Sequence, residues 1–480
     1  MIDAFTKVFP LLPGPLRTLA ASAHGLTLRS WRYGRDHTAL VLDAAQRESW
    51  SPEQWRQWQE ARLAHVLRRA ATRVPFYRQY WEGVVGRPLS VAGQAVPGEQ
   101  AADGRKAGDC PWLELQNWPL LEKEEVRRHP RLFVADDCDT RQMYREHTSG
   151  TTGTPMDLWW SRDTVRRWYA LFEARWRVWH GVSRYDRWAI FGGQIVAAPD
   201  RRKPPFWVWN APMRQLYLSV YHLAPDLARF YVEALRRYRV VYLYGYTSAL
   251  YTLAHDVLDQ GLSVPDLKVV ITNAEPLSEH QREVIGQAFA CPVRETYGMT
   301  EIVTAAGECE HGRLHLWPEV GIVETRPLAN SAGSELICTG LVNADMPLLR
   351  YRLGDAAELA PPAEHCPCGR RLPVLRRLEG RSDDVLITAD GRRIGRLDPV
   401  FKGAMAIREA QIVQDAPEAV RVLVVPARGY TAADGEEVRS RLAARLGTAV
   451  HVTVEVVSAI PRAPNGKFRA VVSRLVPRRE

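Results

Sequence analysis

Residues 148–155 read Thr148-Ser149-Gly150-Thr151-Thr152-Gly153-Thr154-Pro155. The two glycines free the backbone to fold closely round an anion, and the hydroxyls supply donors that can turn towards phosphate oxygens. No Gly-Lys-Ser/Thr follows at the required spacing, so this is not a Walker A loop. Composition alone fits a phosphate cradle and a Thr/Ser/Gly surface turn equally well.

Five stretches further along the chain shift that balance. Asn273-Ala274-Glu275-Pro276 follows the strand-like run Leu267–Thr272. Tyr297-Gly298-Met299-Thr300-Glu301 sets an aromatic ring and a carboxylate on one short segment; such a ring can stack on a base, and such a carboxylate can hold Mg²⁺ beside phosphates. Arg350-Tyr351-Arg352-Leu353-Gly354-Asp355 offers an Asp suited to paired ribose hydroxyls. Gly380-Arg381-Ser382-Asp383-Asp384 is followed, near the end, by Pro461-Arg462-Ala463-Pro464-Asn465-Gly466-Lys467.

In this order, over roughly residues 115–475, the set resembles the adenylate-forming superfamily of acyl-CoA synthetases, luciferases and peptide-synthetase adenylation domains. One five-residue motif recurs by chance, whereas several in register do not. Within the superfamily the chain looks most like the phenylacetate–CoA ligase group and its capsule-biosynthesis (CapK-type) branch. That finer likeness rests on Pro119-Leu120-Leu121-Glu122-Lys123, Tyr244-Gly245-Tyr246-Thr247-Ser248-Ala249-Leu250, Met346-Pro347-Leu348-Leu349-Arg350 and Cys366-Pro367-Cys368-Gly369-Arg370.

The resemblance implies a fold and a set of roles. The fold is α/β: a large multi-layer adenylation domain with mixed and parallel sheets over residues 1–380, a hinge at 381–384, and a small mobile α+β lid over 385–480. Residues 148–155 would embrace the β- and γ-phosphates of ATP. Tyr297 and Gly298 would flank adenine, with Ala274, Glu275 and Pro276 on its other side. Thr300 would touch the α-phosphate, Glu301 the Mg²⁺, and Asp355 the ribose, aided by Arg381. Lys467 would bridge carboxylate and phosphate oxygens, and Asp383 would be the pivot on which the lid swings between half-reactions. A small carboxylic acid would be joined to AMP and then passed to CoA, or alternatively to an amine or carrier protein; an aryl or arylacetic acid is expected, and a non-catalytic pseudo-enzyme is the third reading. There are departures: many members carry a Lys after the loop proline where this chain has Met156, and Thr154 stands where others have Lys or Arg.

Cysteine usage adds a candidate metal site. Seven cysteines, an odd count in a long chain, argue against a disulfide framework. Cys366-Pro-Cys368-Gly is a zinc knuckle one residue short, and Cys309-Glu-His311-Gly-Arg-Leu-His315 supplies another thiolate and two imidazoles. Three Cys and one His would close a structural Zn²⁺ site. Relatives carry a similar Cys-x5-His plus Cys-x-Cys pattern, which favours Cys309, His315, Cys366 and Cys368, with His311 and His365 as alternative fourth ligands. His222-x3-Asp226 mimics an acyltransferase motif but lacks its context.

Outside these motifs the chain is ordinary for a multidomain enzyme. Its 480 residues exceed one hydrophobic core, and 46% apolar with 25% charged residues excludes a disordered or fibrous chain. Lys+Arg 64 against Asp+Glu 55 leaves +9, but the excess Arg is scattered and no nucleic-acid motif is present. No apolar run reaches the roughly 20 residues needed to span a bilayer, and Met1-Ile2-Asp3 with three prolines by Pro15 is unlike a signal peptide, so a cytoplasmic location is expected. Oligomeric state is left open, a homodimer being one option. Residues 1–112 read as mostly helical, with an exposed loop over 91–112, and Glu53–Ala71 shows apolar positions at helical spacing. From about 140 strands alternate with helices: Trp188–Phe191, Val240–Tyr244 and Leu267–Thr272 against Leu227–Arg237, Ser248–Gln260 and Ser278–Phe289, with Ser278 a candidate N-cap. At the end, Ala410–Gln414, Val420–Val425 and Val450–Val457 read as strands and Gly435–Leu446 as a helix.

Overall fold

A computed structural model describes residues 8–85, 113–148, 156–328, 333–361, 364–381, 386–388, 393–394, 397–401, 404, 406–447, 450–463 and 466–475. The exposed loop expected over 91–112, residues 149–155 of the phosphate loop and the hinge residue Asp383 lie outside them.

The first described segment is helical, as its periodicity predicts: α1 Gly14–Arg32, α2 His37–Arg47, α3 Pro52–Arg73 and α4 Pro75–Val85. The third is started by a capping box, in which Ser51 Oγ accepts from Gln54 N–H while Gln54 Oε1 accepts from Ser51 N–H; Pro52 at the first turn needs no amide partner. After α5 Lys123–Arg128 come β1 Tyr144–His147, β2 Asp157–Trp160 and α6 Arg162–Trp176. The alternating region follows: β3 Trp188–Gly192, β4 Trp207–Asn210, β5 Gln215–Ser219, α7 Ala228–Arg237, β6 Tyr242–Tyr246, α8 Thr247–Asp259, β7 Val269–Asn273, α9 Glu279–Phe289 and β8 Val293–Gly298. Ser278 does cap α9, in a second capping box with Gln281. Six antiparallel strands then follow, β9 Ala305–Glu308, β10 Leu314–Leu316, β11 Gly321–Pro327, β12 Ser334–Gly340, β13 Tyr351–Leu359 and β14 Val374–Arg381.

All but β1 and β2 of these fourteen strands form one twelve-stranded sheet, in the order β11-β12-β13-β14-β10-β9-β8-β7-β6-β3-β5-β4. The run β8-β7-β6-β3-β5 is parallel, and the strands beyond β8 are antiparallel. Ligands in such sheets gather outside the carboxyl ends of parallel strands. Those ends here are Tyr246 on β6, Asn273-Ala274-Glu275 after β7 and Gly298–Glu301 after β8, so the quoted motifs converge on one edge for a topological reason.

The last unit is built from a short hairpin, β15 Leu386–Ile387 with β16 Arg393–Ile394, and a four-stranded sheet with one helix: β17 Ile407–Ala416, β18 Ala419–Pro426, α10 Ala432–Leu446, β19 His451–Val456 and β20 Val471–Ser473, in the order β19-β18-β17-β20. Leu386, Val400, Ile412, Val422, Leu442 and Val452 bury one another in a core that, among the described residues, draws on none before 386. Among the described residues no helix is long and apolar enough to cross a membrane.

Candidate active site

A cleft of about 2000 Å³ opens along the carboxyl ends of β6, β7 and β8 and is lined by Tyr297, Thr300, Glu301, Asp355, Glu275 and Lys467. Each gets there for a local reason. Tyr297 is the penultimate residue of β8 and donates its hydroxyl to Asp355 Oδ2 at 2.7 Å. Asp355 lies on β13 directly across from Arg381 on β14, so the two motifs that quote them meet in register. A Cβ at Gly298 would lie 3.2 Å from the Trp176 ring, which explains a glycine beside this tyrosine. Ala274 and Ile302 both take left-handed backbone, with φ of 63° and 49°. For a β-branched residue such as Ile302 that is a genuine outlier, and strain of this kind collects at functional sites.

Thr148 is buried and closes the neck of the phosphate loop. Its N–H donates to Met156 O at 2.9 Å, and its Oγ accepts from Met156 N–H at 3.0 Å. Ser149, Gly150, Thr151, Thr152 and Gly153 lie outside the described residues.

Glu301 is nine-tenths buried, and one oxygen accepts from both Lys123 Nζ at 3.0 Å and Tyr351 Oη at 3.2 Å. Lys123 closes the Pro119–Lys123 motif, to which the sequence alone assigns no role. Its position follows from a bridge between Leu121 and Tyr351, in which Leu121 N–H donates to Arg350 O and Arg352 N–H to Leu121 O, each at 3.0 Å. The signal was therefore present in Pro119–Lys123, but only the pairing to β13 tells what it does.

Lys467 arrives from the C-terminal unit on a tight hairpin. Ala463 N–H donates to Lys467 O at 3.0 Å and Gly466 N–H to Ala463 O at 2.8 Å. Gly466 takes φ 76°, and a Cβ there would lie 2.8 Å from Val220 and 3.2 Å from Gly193 Cα. Only glycine permits this approach to the larger domain. The neighbouring Phe468 N–H donates to Glu275 Oε1 at 2.7 Å, while Glu275 Oε2 accepts from Ser248 N–H at 2.8 Å. Glu275 thus clamps the lysine loop to the start of α8. The Lys467 ammonium lies 5.8 Å from the centroid of Tyr246. Further out, Arg408 makes two 3.0 Å bonds to the buried Asp256 of α8.

Beside these groups the cleft is walled by rings. Phe172 and Trp176 of α6 lie 5.6 and 6.3 Å from Tyr244 of β6, centroid to centroid. This is an apolar, aromatic surface.

Glu295, two residues before Tyr297 on β8, is half-buried, with its Oε1 accepting from Leu277 N–H at 3.1 Å. Burial pushes its carboxyl up to about 7, and the neighbouring Glu308 carboxylate adds to the rise. The folded chain therefore holds a proton here that the unfolded chain has lost above about 4.5, so stability falls as pH rises from there through about 7. Glu295→Gln is expected to leave melting at pH 5 unchanged and to raise stability at pH 8 by up to about 3 kcal/mol. Parallel melting curves for the two proteins across this range would contradict that assignment.

The cysteine cluster is a second, separate centre. Cys309, His315, Cys366 and Cys368 bring one ligand atom each to within 4.8 Å of one another. Cys309 Sγ and Cys366 Sγ are 3.6 Å apart, and Cys368 Sγ and His315 Nε2 are 3.4 Å apart. A tetrahedron with Zn–S of about 2.3 Å and Zn–N of about 2.0 Å has edges of about 3.5 to 3.8 Å, so the donor set fits a zinc ion. His315 Nδ1 lies 3.2 Å from Leu372 O, which turns Nε2 towards the thiols, and burial pushes the imidazole down to about 4, keeping it neutral. Both turns close alike: Gly312 N–H donates to Cys309 O and Gly369 N–H to Cys366 O, each at 3.1 Å. His311 and His365 are exposed and lie outside the cluster. Arg370 ties this corner to the N-terminal helices, with bonds to Glu48 and Glu310 and its guanidinium 4.4 Å from the Trp179 ring centroid. Elsewhere, His222 is a satisfied core residue, with Nδ1 2.8 Å from Ser219 Oγ and Nε2 2.9 Å from Ala198 O.

Comparison with known proteins agrees with this geometry. Residues 386–474 match the CapK C-terminal domain. Protein CapK of Staphylococcus aureus is 27% identical over 378 residues, which cover 75% of this chain and 80% of that protein. Phenylacetate-coenzyme A ligase of Thermus thermophilus is 26% identical over 357 residues, 70% of this chain and 72% of that one. Among solved structures, 2-hydroxyisobutyryl-CoA ligase in the postadenylation state has the same fold, with a TM-score of 0.63 at 19% identity over 89% of this chain and 91% of that chain. Residues 55–338, more than half of the sequence, match the AMP-binding enzyme family, and the chain belongs to that adenylate-forming family.

Proposed function

We propose that this protein activates a carboxylic acid as its acyl adenylate and transfers the acyl group to CoA, as an AMP-forming acid–thiol ligase. The observation that carries this reading is the arrival of Lys467, on a loop clamped by Glu275, in the cleft that also holds Tyr297, Asp355 and Glu301. Joining a carboxylate to the α-phosphate brings two anions together, so a fixed cation between them lowers the barrier. Lys467 supplies that cation. Thr148 and residues 149–153 hold the β- and γ-phosphates, Thr300 meets the α-phosphate, and Lys123 adds charge beside them. Tyr297 and Gly298 flank the adenine against Ala274, Glu275 and Pro276, while Asp355 and Arg381 hold the ribose. Glu301 would hold a Mg²⁺ that offsets phosphate charge; its buried carboxylate suits a hard cation. The aromatic wall of Phe172, Trp176 and Tyr244 favours an aryl or arylacetic acid.

Residues 1–380 act as the nucleotide- and acid-binding domain, residues 381–384 as the hinge on Asp383, and residues 385–480 as the lid. Swinging the lid parts Arg408 from Asp256 and Phe468 from Glu275, withdrawing Lys467 so that the thiol can enter. The test is acid-dependent pyrophosphate exchange followed by CoA-dependent AMP release; exchange with no acid tried would overturn the reading. The match to the CapK C-terminal domain favours a second acceptor class, an amine, and AMP release driven by amines but indifferent to CoA would select it.

The Cys309/His315/Cys366/Cys368 cluster is read as a structural zinc site. Cys366→Ser is expected to lower bound zinc from about one per chain to a small fraction and the melting temperature by about 5 °C or more. Elemental analysis of the purified protein checks it, and a zinc-free parent protein would refute it.

A further inference from the structure

Helix α1 lies outside the matched residues 55–338, yet it forms one wall of the cleft through Ala20, His24, Leu28 and Arg32. It is fixed there along the far edge of the sheet. Arg17 donates to Pro205 O at 3.1 Å, Ser22 Oγ to Trp209 O at 3.4 Å, and Gly25 lies so close to Asn210 that any Cβ would collide. The guanidinium of Arg32 rests 4.2 Å from the centroid of Tyr169 on α6. From that ring the aromatic surface continues to Phe172 at 5.8 Å and on to Tyr244 at 5.6 Å, towards the strand end where Lys467 meets Tyr246. The cleft, at about 2000 Å³, is about twice the upper end of ordinary small-molecule pockets, leaving room beyond ATP for an extended acid.

Tyr144 and Glu146 of β1, two strand positions apart and hence on one face, line the same cleft beside Arg32. Arg32 shares a side-chain hydrogen bond with Tyr144, and it and Glu146 each feel the other's charge, but among the described residues they close no ion pair within 4 Å. A guanidinium donor and a carboxyl acceptor thus face one cavity with their combined charge near zero. A second carboxylate on the substrate would meet Glu146, and an ammonium would meet Arg32. A hydroxyl satisfies both, accepting from Arg32 and donating to Glu146.

We infer that the acid activated here is aromatic and carries a neutral hydrogen-bonding group, such as a phenolic hydroxyl, at the end remote from its carboxylate, and that Arg32, Glu146 and Tyr144 receive that group. This rests on the acid-activating reading above. Pyrophosphate exchange tests it with 4-hydroxyphenylacetic, 3-(4-hydroxyphenyl)propanoic and 4-hydroxycinnamic acids, each against its 4-methyl and 4-carboxy counterpart. A site built to bond a hydroxyl rejects an analogue that lacks it, so kcat/KM for at least one hydroxy acid is expected to exceed its methyl partner by about 100-fold. Arg32→Met should reduce that ratio to a few-fold, and Arg32→Lys should restore part of it. Tyr144→Phe, which removes one oxygen only, should lower the ratio as well and serves if Arg32→Met does not fold. Equal rates for hydroxy and methyl acids, preference for the carboxy acids, or an undiminished ratio in Arg32→Met and Tyr144→Phe would overturn the inference while leaving the ligase reading standing. Exchange with none of the acids would remove both.

Discussion

Lys467→Ala is expected to lower acid-dependent pyrophosphate exchange by about 10²–10³-fold, the usual cost of removing one preorganised charge from a transition state. That is about 2.7–4 kcal/mol, and little of it should appear as lost stability, because Lys467 is only half-buried and its loop is held by backbone bonds from Ala463, Gly466 and Phe468. Lys467→Arg keeps the charge but exchanges a compact ammonium for a planar fork, so it should recover only part of the rate. The loss should appear in kcat more than in the KM for the acid, since the two anions repel most strongly as they are brought to reaction. Parent-level exchange in Lys467→Ala would remove the lysine from the chemistry and with it the main support for an adenylating enzyme. A matching loss from Glu275→Ala, which leaves the lysine in place but unclamps its loop, would show that positioning contributes alongside charge.

Much of the site was legible in the sequence because its residues come in short runs. Tyr297–Glu301 and Asn273–Pro276 each sit at a strand end, where the chain leaves the sheet and the local sequence is freed from packing, and Asp355 lies within β13. The parallel strands were equally plain: β3, β6 and β7 are continuous apolar runs buried on both faces. The antiparallel half is far less legible. Strand β10 is three residues long, and β13 opens with Tyr-Arg-Leu-Gly-Asp, whose polar members serve the site, so their pattern carries function rather than alternation. Contacts between distant segments were the other blind spot. Nothing local in the sequence says that Arg32 lies over Tyr169, 137 residues on, or that the turns at Cys309 and Cys366 face one another. The cluster was found only because its residue types are rare and their spacing is familiar.

Lys123 illustrates the same point and makes the stronger test of the phosphate end of the site. The loop after Thr148 brings no cation of its own, and the position after its proline is taken by the buried Met156. The nearby ammonium is Lys123, bonded to Glu301 and turned into the cleft. An ion pair at 3.0 Å whose carboxylate is nine-tenths buried is not surface decoration: removing the lysine leaves a desolvated carboxylate whose remaining side-chain donor, among the described residues, is Tyr351 Oη. Lys123→Ala is therefore expected to act twice, withdrawing positive charge from the polyphosphate and loosening the orientation of Glu301. Together these should lower kcat/KM for ATP by about 100-fold, or about 2.7 kcal/mol, with KM for the acid little changed. Lys123→Met, which keeps much of the stem, separates charge from packing and should be nearly as impaired. Tyr351→Phe removes the other donor to the same oxygen and should cost less, about 10-fold, because the lysine remains. If Lys123→Ala changes kcat/KM for ATP less than Tyr351→Phe does, the lysine is only a strut for Glu301, and the phosphate charge must be met by the loop after Thr148.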